Sequence, residues 1–293
     1  MKAAEFDYAR AGSVEEVCRL LAGAQGEGKI IAGGQTLVPL LVMRLARPAL
    51  VIDINRVDAL KGLRRDGDAL MIGAGTRQAD VLADPALARD APLLAKGLRM
   101  VGHPQTRNRG TIGGSLANAD PAAEIGLVAR TLDAVITACA TSGERMIASA
   151  DFFAGAMTTA LAPAECLTQV RFPIWREERL GTGFEEMSIR RSDFALVAAA
   201  CQVALDGDGV CQRIALGIGG AEAVPVRATE AEHRLVGTRL EPGDIDRATA
   251  ALGAALTPLS DHHASADYRR RVAAALAARV IASARGEALA ARH

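Results

Sequence analysis

Two glycine pairs mark the places where this sequence could hold a charged ligand. The first is Ala32-Gly33-Gly34-Gln35-Thr36, directly after the strand-like run Lys29-Ile30-Ile31-Ala32. The second is Gly110-Thr111-Ile112-Gly113-Gly114-Ser115. Without a Cβ, glycine reaches positive φ and lets backbone N–H groups approach an anion. Thr36 and the Gln35 amide add side-chain donors to the first loop. A helix after the second loop would add the positive end of its dipole. Neither loop ends in the Gly-Lys-Ser/Thr of a P-loop, and neither fits G-x-G-x-x-G. One Gly-Gly alone is as readily a tight turn. Two such loops suit a pyrophosphate, and by themselves the residues indicate only a phosphate-bearing ligand.

Other polar residues compete for attention. His103, beside Pro104, reads as a structural loop residue, with a place at the rim of the ligand as the alternative. Arg107 and Arg109 could tie the second loop to acidic groups or pair with phosphate. Arg190, Arg191 and Asp193 could form an internal ion-pair network or an inter-subunit face. His262-His263 lacks the carboxylate arrangement of a metal site. Asp206-Gly207-Asp208-Gly209 lacks the later ligands of a calcium loop and reads as a hairpin turn. Cys18, Cys139, Cys166, Cys201 and Cys211 include no C-x-x-C pair and have no histidines at zinc spacing, so buried thiols are expected. No Ser–His–Asp or paired-carboxylate constellation stands out, so no side chain is assigned as catalytic or as a metal ligand.

The elements that must position the loops follow from the apolar pattern. Ser13 with Glu16 is a capping-box start for a helix carrying Val14, Val17, Leu20 and Leu21 on one face. Leu37 to Leu45 reads as helical, and Ala49 to Ile54 as a buried strand. Ala69 to Gly73 reads as a strand, with helices at Gln78–Leu82 and Ala91–Met100. Asp120 and Pro121 should cap a helix running to about Leu132. Ala134–Ala140 and Arg145–Ala148 suggest a hairpin, as do Ala195–Leu205 and Val210–Ile218. The remainder is helical, ending in an Ala- and Arg-rich stretch from Ser265 to about Ala290.

The chain has 293 residues, enough for two cores, and the character changes near Trp175. With only 3% aromatic residues, those cores must be built of Ala, Val, Leu and Ile. The 34 basic and 34 acidic side chains cancel without a basic stripe, which argues against nucleic acid as a partner. No run of 18 apolar residues suggests a membrane span. The N-terminal MKAAEFDYAR does not have the apolar core of an export signal, so the expected location is cytoplasmic.

Four segments carry a resemblance to a known family. KIIAGGQTLVPLL and GHPQTRNRGTIGGSLANADPAAE resemble the two flavin loops of the FAD-binding medium subunits of aerobic carbon monoxide dehydrogenase-like molybdenum hydroxylases, the xanthine dehydrogenase family. RRSDFALV at 190–197 and DHHASADYRRRVAAAL at 261–276 match that family's C-terminal part in the required order. The resemblance implies an α+β fold. Residues 1–175 would be a FAD-binding PCMH domain of the vanillyl-alcohol-oxidase type, with subdomains of about 1–55 and 56–175. Residues 176–293 would be a smaller α+β domain of the CO dehydrogenase flavoprotein type.

The same resemblance implies FAD contacts from Ile30, Ile31, Ala32, Gly33, Gly34, Gln35, Thr36 and Leu37, and from Thr111, Ile112, Gly113, Gly114 and Ser115. It adds Asp120 and Glu124 as polar contacts, and Val101 and Leu161 as apolar neighbours. Asn118 stands where many relatives have histidine, and Ser192 where glycine is usual. In Tyr268 and Arg269 to Arg271 it implies packing and surface contacts at a helix start.

The implied activity is that of an oxidoreductase subunit in a heterotrimer. A large molybdopterin subunit would hydroxylate an N-heterocycle, CO or an aldehyde. A small subunit with two [2Fe–2S] clusters would pass the electrons to FAD on this chain, which would deliver them to an external acceptor. A self-contained FAD oxidoreductase of the same superfamily, and a non-enzymatic nucleotide-binding protein, are the alternatives.

Overall fold

The computed structural model describes residues 2–190 and 192–291; Arg191 lies outside the described residues. The chain opens with β1 (Asp7–Arg10), α1 (Val14–Gly23), β2 (Gly28–Ile31), α2 (Leu37–Val42) and β3 (Leu50–Asp53). The three strands run parallel in the order β1-β3-β2, with β3 in the middle and the most buried. Ser13 caps α1 by accepting from the Glu16 amide at 3.2 Å. The Glu16 carboxylate reaches one residue beyond a true capping box and accepts from the Gly12 amide at 2.8 Å. Because β2 and β3 end side by side, the chain that leaves β2 at Ala32 stays within reach of residues just after β3.

A larger unit follows: β4 (Leu63–Asp66), β5 (Ala69–Gly73), α3 (Gln78–Ala83), α4 (Pro85–Asp90), α5 (Pro92–Met100), α6 (Pro104–Arg109), α7 (Ile112–Asn118) and α8 (Glu124–Thr131), then β6 (Val135–Ala140), β7 (Gly143–Ala148), α9 (Ser149–Phe152), β8 (Phe153–Gly155), β9 (Thr158–Thr159) and β10 (Cys166–Pro173). Its antiparallel sheet has the order β4-β5-β10-β6-β7. Two features depart from the sequence reading. The helix expected at Pro121 starts at Glu124, and Asp120 forms a turn by accepting from the Ala122 amide at 2.9 Å. The second glycine pair lies inside α7, whose N-cap is Thr111.

The C-terminal part holds β11 (Arg179–Met187), β12 (Val197–Leu205), β13 (Cys211–Gly219), β14 (Val226–Arg227), α10 (Thr229–Leu235), α11 (Pro242–Ala255) and α12 (Ala266–Ala290). The Asp206 carboxylate accepts from the amides of Asp208 and Val210, both at 2.9 Å, which fixes the turn between β12 and β13. Every residue of β12 is buried. Ala198, Ala200 and Ala204 close the core of the preceding unit, while Val197, Cys201, Val203 and Leu205 face the core under α11 and α12. On β11, a Cβ at Gly181 or Gly183 would collide with the carbonyls of Ala284 and Val280, so the α12 backbone lies directly on those glycines. The small residues of α12 serve that close approach. No helix among the described residues is long and apolar enough to cross a membrane.

All five cysteines are free. Cys18 donates to the Cys139 carbonyl at 3.2 Å, and Cys139 pairs across the strands with Cys166. Burial pushes the thiols of Cys18 and Cys166 up to about 12, so they remain protonated and inert near neutrality.

Candidate functional site

The fold brings the two glycine loops into contact. A Cβ on Gly33 would collide with the carbonyl of Arg109 and come within 2.9 Å of the Gly110 Cα. Only glycine allows the first loop to rest on the backbone that enters the second. Gly34, at φ +72°, then turns the chain into α2. Among the described residues, the amides of Gly33, Gly34, Gln35 and Thr36 donate to no protein group. Gln35 and Thr36 are exposed, and the Gln35 side-chain amide bonds back to the Gly33 carbonyl at 3.3 Å. Four consecutive unspent donors on a tight turn make an anion nest.

The second loop is built differently from the expectation of a matching nest. The amides of Ile112 and Gly113 donate to Thr76 and Ala74 at 3.1 and 2.8 Å. The Gly114 amide is held by the Thr111 hydroxyl at 3.0 Å, and that of Ser115 by the Thr111 carbonyl at 3.1 Å. Gly113 is needed for packing, since a Cβ there would lie 2.7 Å from the Ala74 Cα. Gly114 is exposed bare backbone between buried Gly113 and half-buried Ser115. The second loop therefore offers exposed bare backbone at Gly114, with half-buried Ser115 next to it in the chain.

Ile30, Ile31, Ala32 and Leu37 flank the nest as half-buried residues, Ile30 and Ile31 in β2, Ala32 just after it and Leu37 at the start of α2. Asp120 and Glu124 follow α7. Burial pushes the Glu124 carboxyl up to about 7; its own amide and Arg107 oppose the shift, and the charges of Glu186 and Asp120 add to it. Burial likewise pushes Glu186, on β11, up to about 7. Glu186 on β11 and Asp120 thus lie close enough to Glu124 for their charges to act on it.

Val101 is buried, and its carbonyl accepts from Arg107 at 2.7 Å. Arg107 is thereby a structural tie, bonded also to the Gly102 carbonyl at 3.0 Å. Leu161 packs on the core just past the β8–β9 hairpin, where Met157 donates to the Ala119 carbonyl at 2.9 Å; no bond joins Leu161 to either loop. His103 is the exposed N-cap residue of α6 without a side-chain cap bond.

Sequence reasoning missed Asn55 and Arg77. Asn55 Nδ2 donates to the Ala32 carbonyl at 2.9 Å, and its Oδ1 accepts from Arg77 at 2.6 Å. Arg77 also donates to the Arg109 carbonyl. Both are isolated polar residues after strands and belong to no motif, so only the fold could reveal them. Arg269 also differs from expectation: it is 7% exposed and ties the start of α12 to the carbonyls of Leu196 and Gly220 at 2.7 and 2.8 Å. His262 and His263 pack ring against ring beside Asp261, which accepts from Arg269 at 2.6 Å.

The free amides of residues 33–36 and the exposed backbone at Gly114 are groups that could hold an extended phosphate-bearing cofactor. Residues 4–175 match the FAD binding domain in molybdopterin dehydrogenase, and residues 182–284 match the CO dehydrogenase flavoprotein C-terminal domain. The chain belongs to this family of FAD-binding oxidoreductase subunits. It is 40% identical over 284 residues to the 6-hydroxypseudooxynicotine dehydrogenase complex subunit alpha of Paenarthrobacter nicotinovorans, covering 97% of this chain and 96% of that one. A chain of CO dehydrogenase from Oligotropha carboxidovorans superposes with a TM-score of 0.94 at 32% identity, over 98% of this chain and 100% of that one. One of quinoline 2-oxidoreductase from Pseudomonas putida 86 superposes with a TM-score of 0.93 at 35% identity, over 99% and 100%. The free amides of the first loop, with the hydroxyls of Thr36 and Ser115, have the chemistry to fit the pyrophosphate of FAD.

Proposed function

We propose that this chain is the electron-transfer subunit of a heterotrimeric, cytoplasmic molybdenum hydroxylase. It would take electrons from [2Fe–2S] clusters of a small subunit and pass them to an external acceptor, while a large molybdopterin subunit hydroxylates the substrate. The observation that carries the reading is the contact of Gly33 with Arg109 and Gly110, which makes one cradle of two loops. FAD, when bound, supplies a centre that accepts electrons singly and releases them in pairs. The chain's own residues bind and orient. The amides of Gly33 to Thr36 would donate hydrogen bonds to the pyrophosphate, and Gly114 with Ser115 would present bare backbone to the cofactor. Glu124 and Asp120 contact its polar groups, and Val101 and Leu161 border it. Five unpaired cysteines suit a reducing compartment.

Purification of the native complex tests the reading. Stoichiometric FAD with a molybdopterin subunit and an iron–sulfur subunit is expected in native mass spectrometry. Substrate turnover by the isolated flavoprotein without molybdenum would overturn it. Gly114→Val tests the loops directly, because its side chain covers the bare backbone and crowds the Thr111 hydroxyl, 2.7 Å from a Cβ at that position. The variant is expected to fold without flavin, and a full complement of FAD in it would remove the loop assignment.

A further inference from the structure

We propose that Arg77 is a positioning residue for FAD, acting through Asn55 and the Arg109 carbonyl to lock the two glycine loops into one cradle. The inference rests on the loop assignment above. Gly33 makes the close approach of the loops sterically allowed, but a missing Cβ supplies no attraction. The attraction comes from a chain of hydrogen bonds behind the loops. Asp53 is buried and accepts from the Asn55 amide at 2.8 Å and from Asn55 Nδ2 at 2.6 Å. The Tyr8 hydroxyl donates to the other Asp53 oxygen at 2.5 Å. Burial alone would push the Asp53 carboxyl up; the bonds from Tyr8 and Asn55, with Arg10 nearby, hold it below the ordinary carboxylate range. A charged Asp53 thus fixes Asn55, with Nδ2 toward the Ala32 carbonyl and Oδ1 toward Arg77.

Arg77 completes the link. One terminal nitrogen of its guanidinium donates to Asn55 and the other to the Arg109 carbonyl, the same carbonyl that Gly33 lies against. Its planar fork spans two fixed acceptors at once, which a lysine ammonium on a flexible stem cannot do. Arg77 thereby ties the residue before each glycine loop, the Arg109 carbonyl directly and the Ala32 carbonyl through Asn55. Ala32 precedes Gly33, and Arg109 precedes Gly110. A ring of this kind fixes the spacing between two backbone segments, and a preorganised cradle binds more tightly than one that must be assembled on binding. Arg77 and Asn55 line one side of a cavity of about 430 Å³ with Lys61, Thr76 and Asp80, so the ring has open space behind it.

The test uses the full chain stripped of flavin, titrated with FAD and followed by flavin fluorescence, together with hydrogen exchange of the loop amides. Arg77→Met and Asn55→Ala are each expected to weaken FAD binding tenfold or more and to speed exchange selectively at residues 110 and 112–114, whose amides are bonded in the fold. The double variant should be no weaker than the worse single one, because both changes break the same link. Arg77→Lys should behave like Arg77→Met and serves in its place if that variant does not fold. Affinity within twofold of the parent in the single variants, or additive losses in the double variant, would overturn the proposal. Loss with Arg77→Met but not with Asn55→Ala would overturn it too, since Arg77 would then be touching the ligand itself. If Gly114→Val releases FAD while the Arg77 and Asn55 variants keep it, the clamp fails and the loop assignment stands. If Gly114→Val also keeps FAD, the loop assignment fails.

Discussion

The guanidinium of Arg269 donates to the main-chain carbonyl of Leu196 at 2.7 Å, which joins the first turn of α12 to the strand entering β12. The same nitrogen reaches the carbonyl of Gly220, whose amide in turn donates to the Pro121 carbonyl at 2.8 Å. A residue 73 positions from its partner in sequence thus connects the C-terminal helix with the segment that follows the second glycine loop. Arg269→Met should leave both carbonyls without that partner. The expected cost is about 2–4 kcal/mol, read as a lower urea midpoint of the flavin-free protein. An unchanged midpoint would show that water replaces the guanidinium without loss.

Glu124 and Glu186 should give the flavin-free protein a distinctive pH profile. Burial holds both carboxyls protonated in the fold up to about pH 7, whereas in the unfolded chain they ionise near the ordinary value of 4.5. Between those limits the native state carries the extra protons, so stability falls as pH rises. Below the lower limit the penalty is absent, and above the upper one it is constant. Glu186→Gln should flatten part of that decline and gain on the order of 1–2 kcal/mol at pH 8 over its effect at pH 4. Equal slopes in parent and variant, measured by urea denaturation across the range, would contradict the assignment.

Ser192 adopts φ +70°, in the left-handed region that favours glycine. It occupies the place where the resembling family usually has glycine, the residue that adopts this backbone shape without steric cost. Ser192→Gly should relieve strain of about 1 kcal/mol, partly offset by a more flexible unfolded chain. Thermal denaturation should show a rise of a few degrees at most; a fall would mean that the serine side chain contributes more than its backbone costs.

Gly183→Val should be among the most damaging single changes. Its Cβ would meet the Val280 backbone, with the Val280 Cα at 2.8 Å, and a helix backbone cannot rotate away as a side chain can. A loss of about 3 kcal/mol or more is expected, or failure to accumulate folded protein. Gly62→Ala makes a useful contrast, because nothing lies within 4 Å of its Cβ position and its positive φ of 103° is the sole cost.

These residues also indicate how far the sequence could be read. α1, the β6–β7 and β12–β13 hairpins and α12 follow from caps, turn residues and apolar runs acting locally. β10 does not, because Thr168, Gln169 and Arg171 interrupt its apolar run although it is the middle strand of its sheet. β11 is hidden for the opposite reason. Gly181 and Gly183 look like breakers, yet they are required by a helix that arrives about a hundred residues later. At the site, the glycine pairs were visible as residue types, but their unlike roles were not. The first leaves its amides free and the second has spent them on Thr76, Ala74 and Thr111. Asn55 and Arg77 lie 22 residues apart and become partners only when β3 and β5 are placed.

β12 separates two cores and belongs to both. Its alanine face completes the wall of one half of the molecule, and its opposite face anchors the other half. Neither half can be removed without stripping the lining from its neighbour. Severing the chain near residue 175 would therefore yield fragments prone to self-association through the exposed alanines, and heating the intact chain should produce a single calorimetric peak. The covalent joint between the halves is a short linker, but the thermodynamic joint is a nine-residue strand.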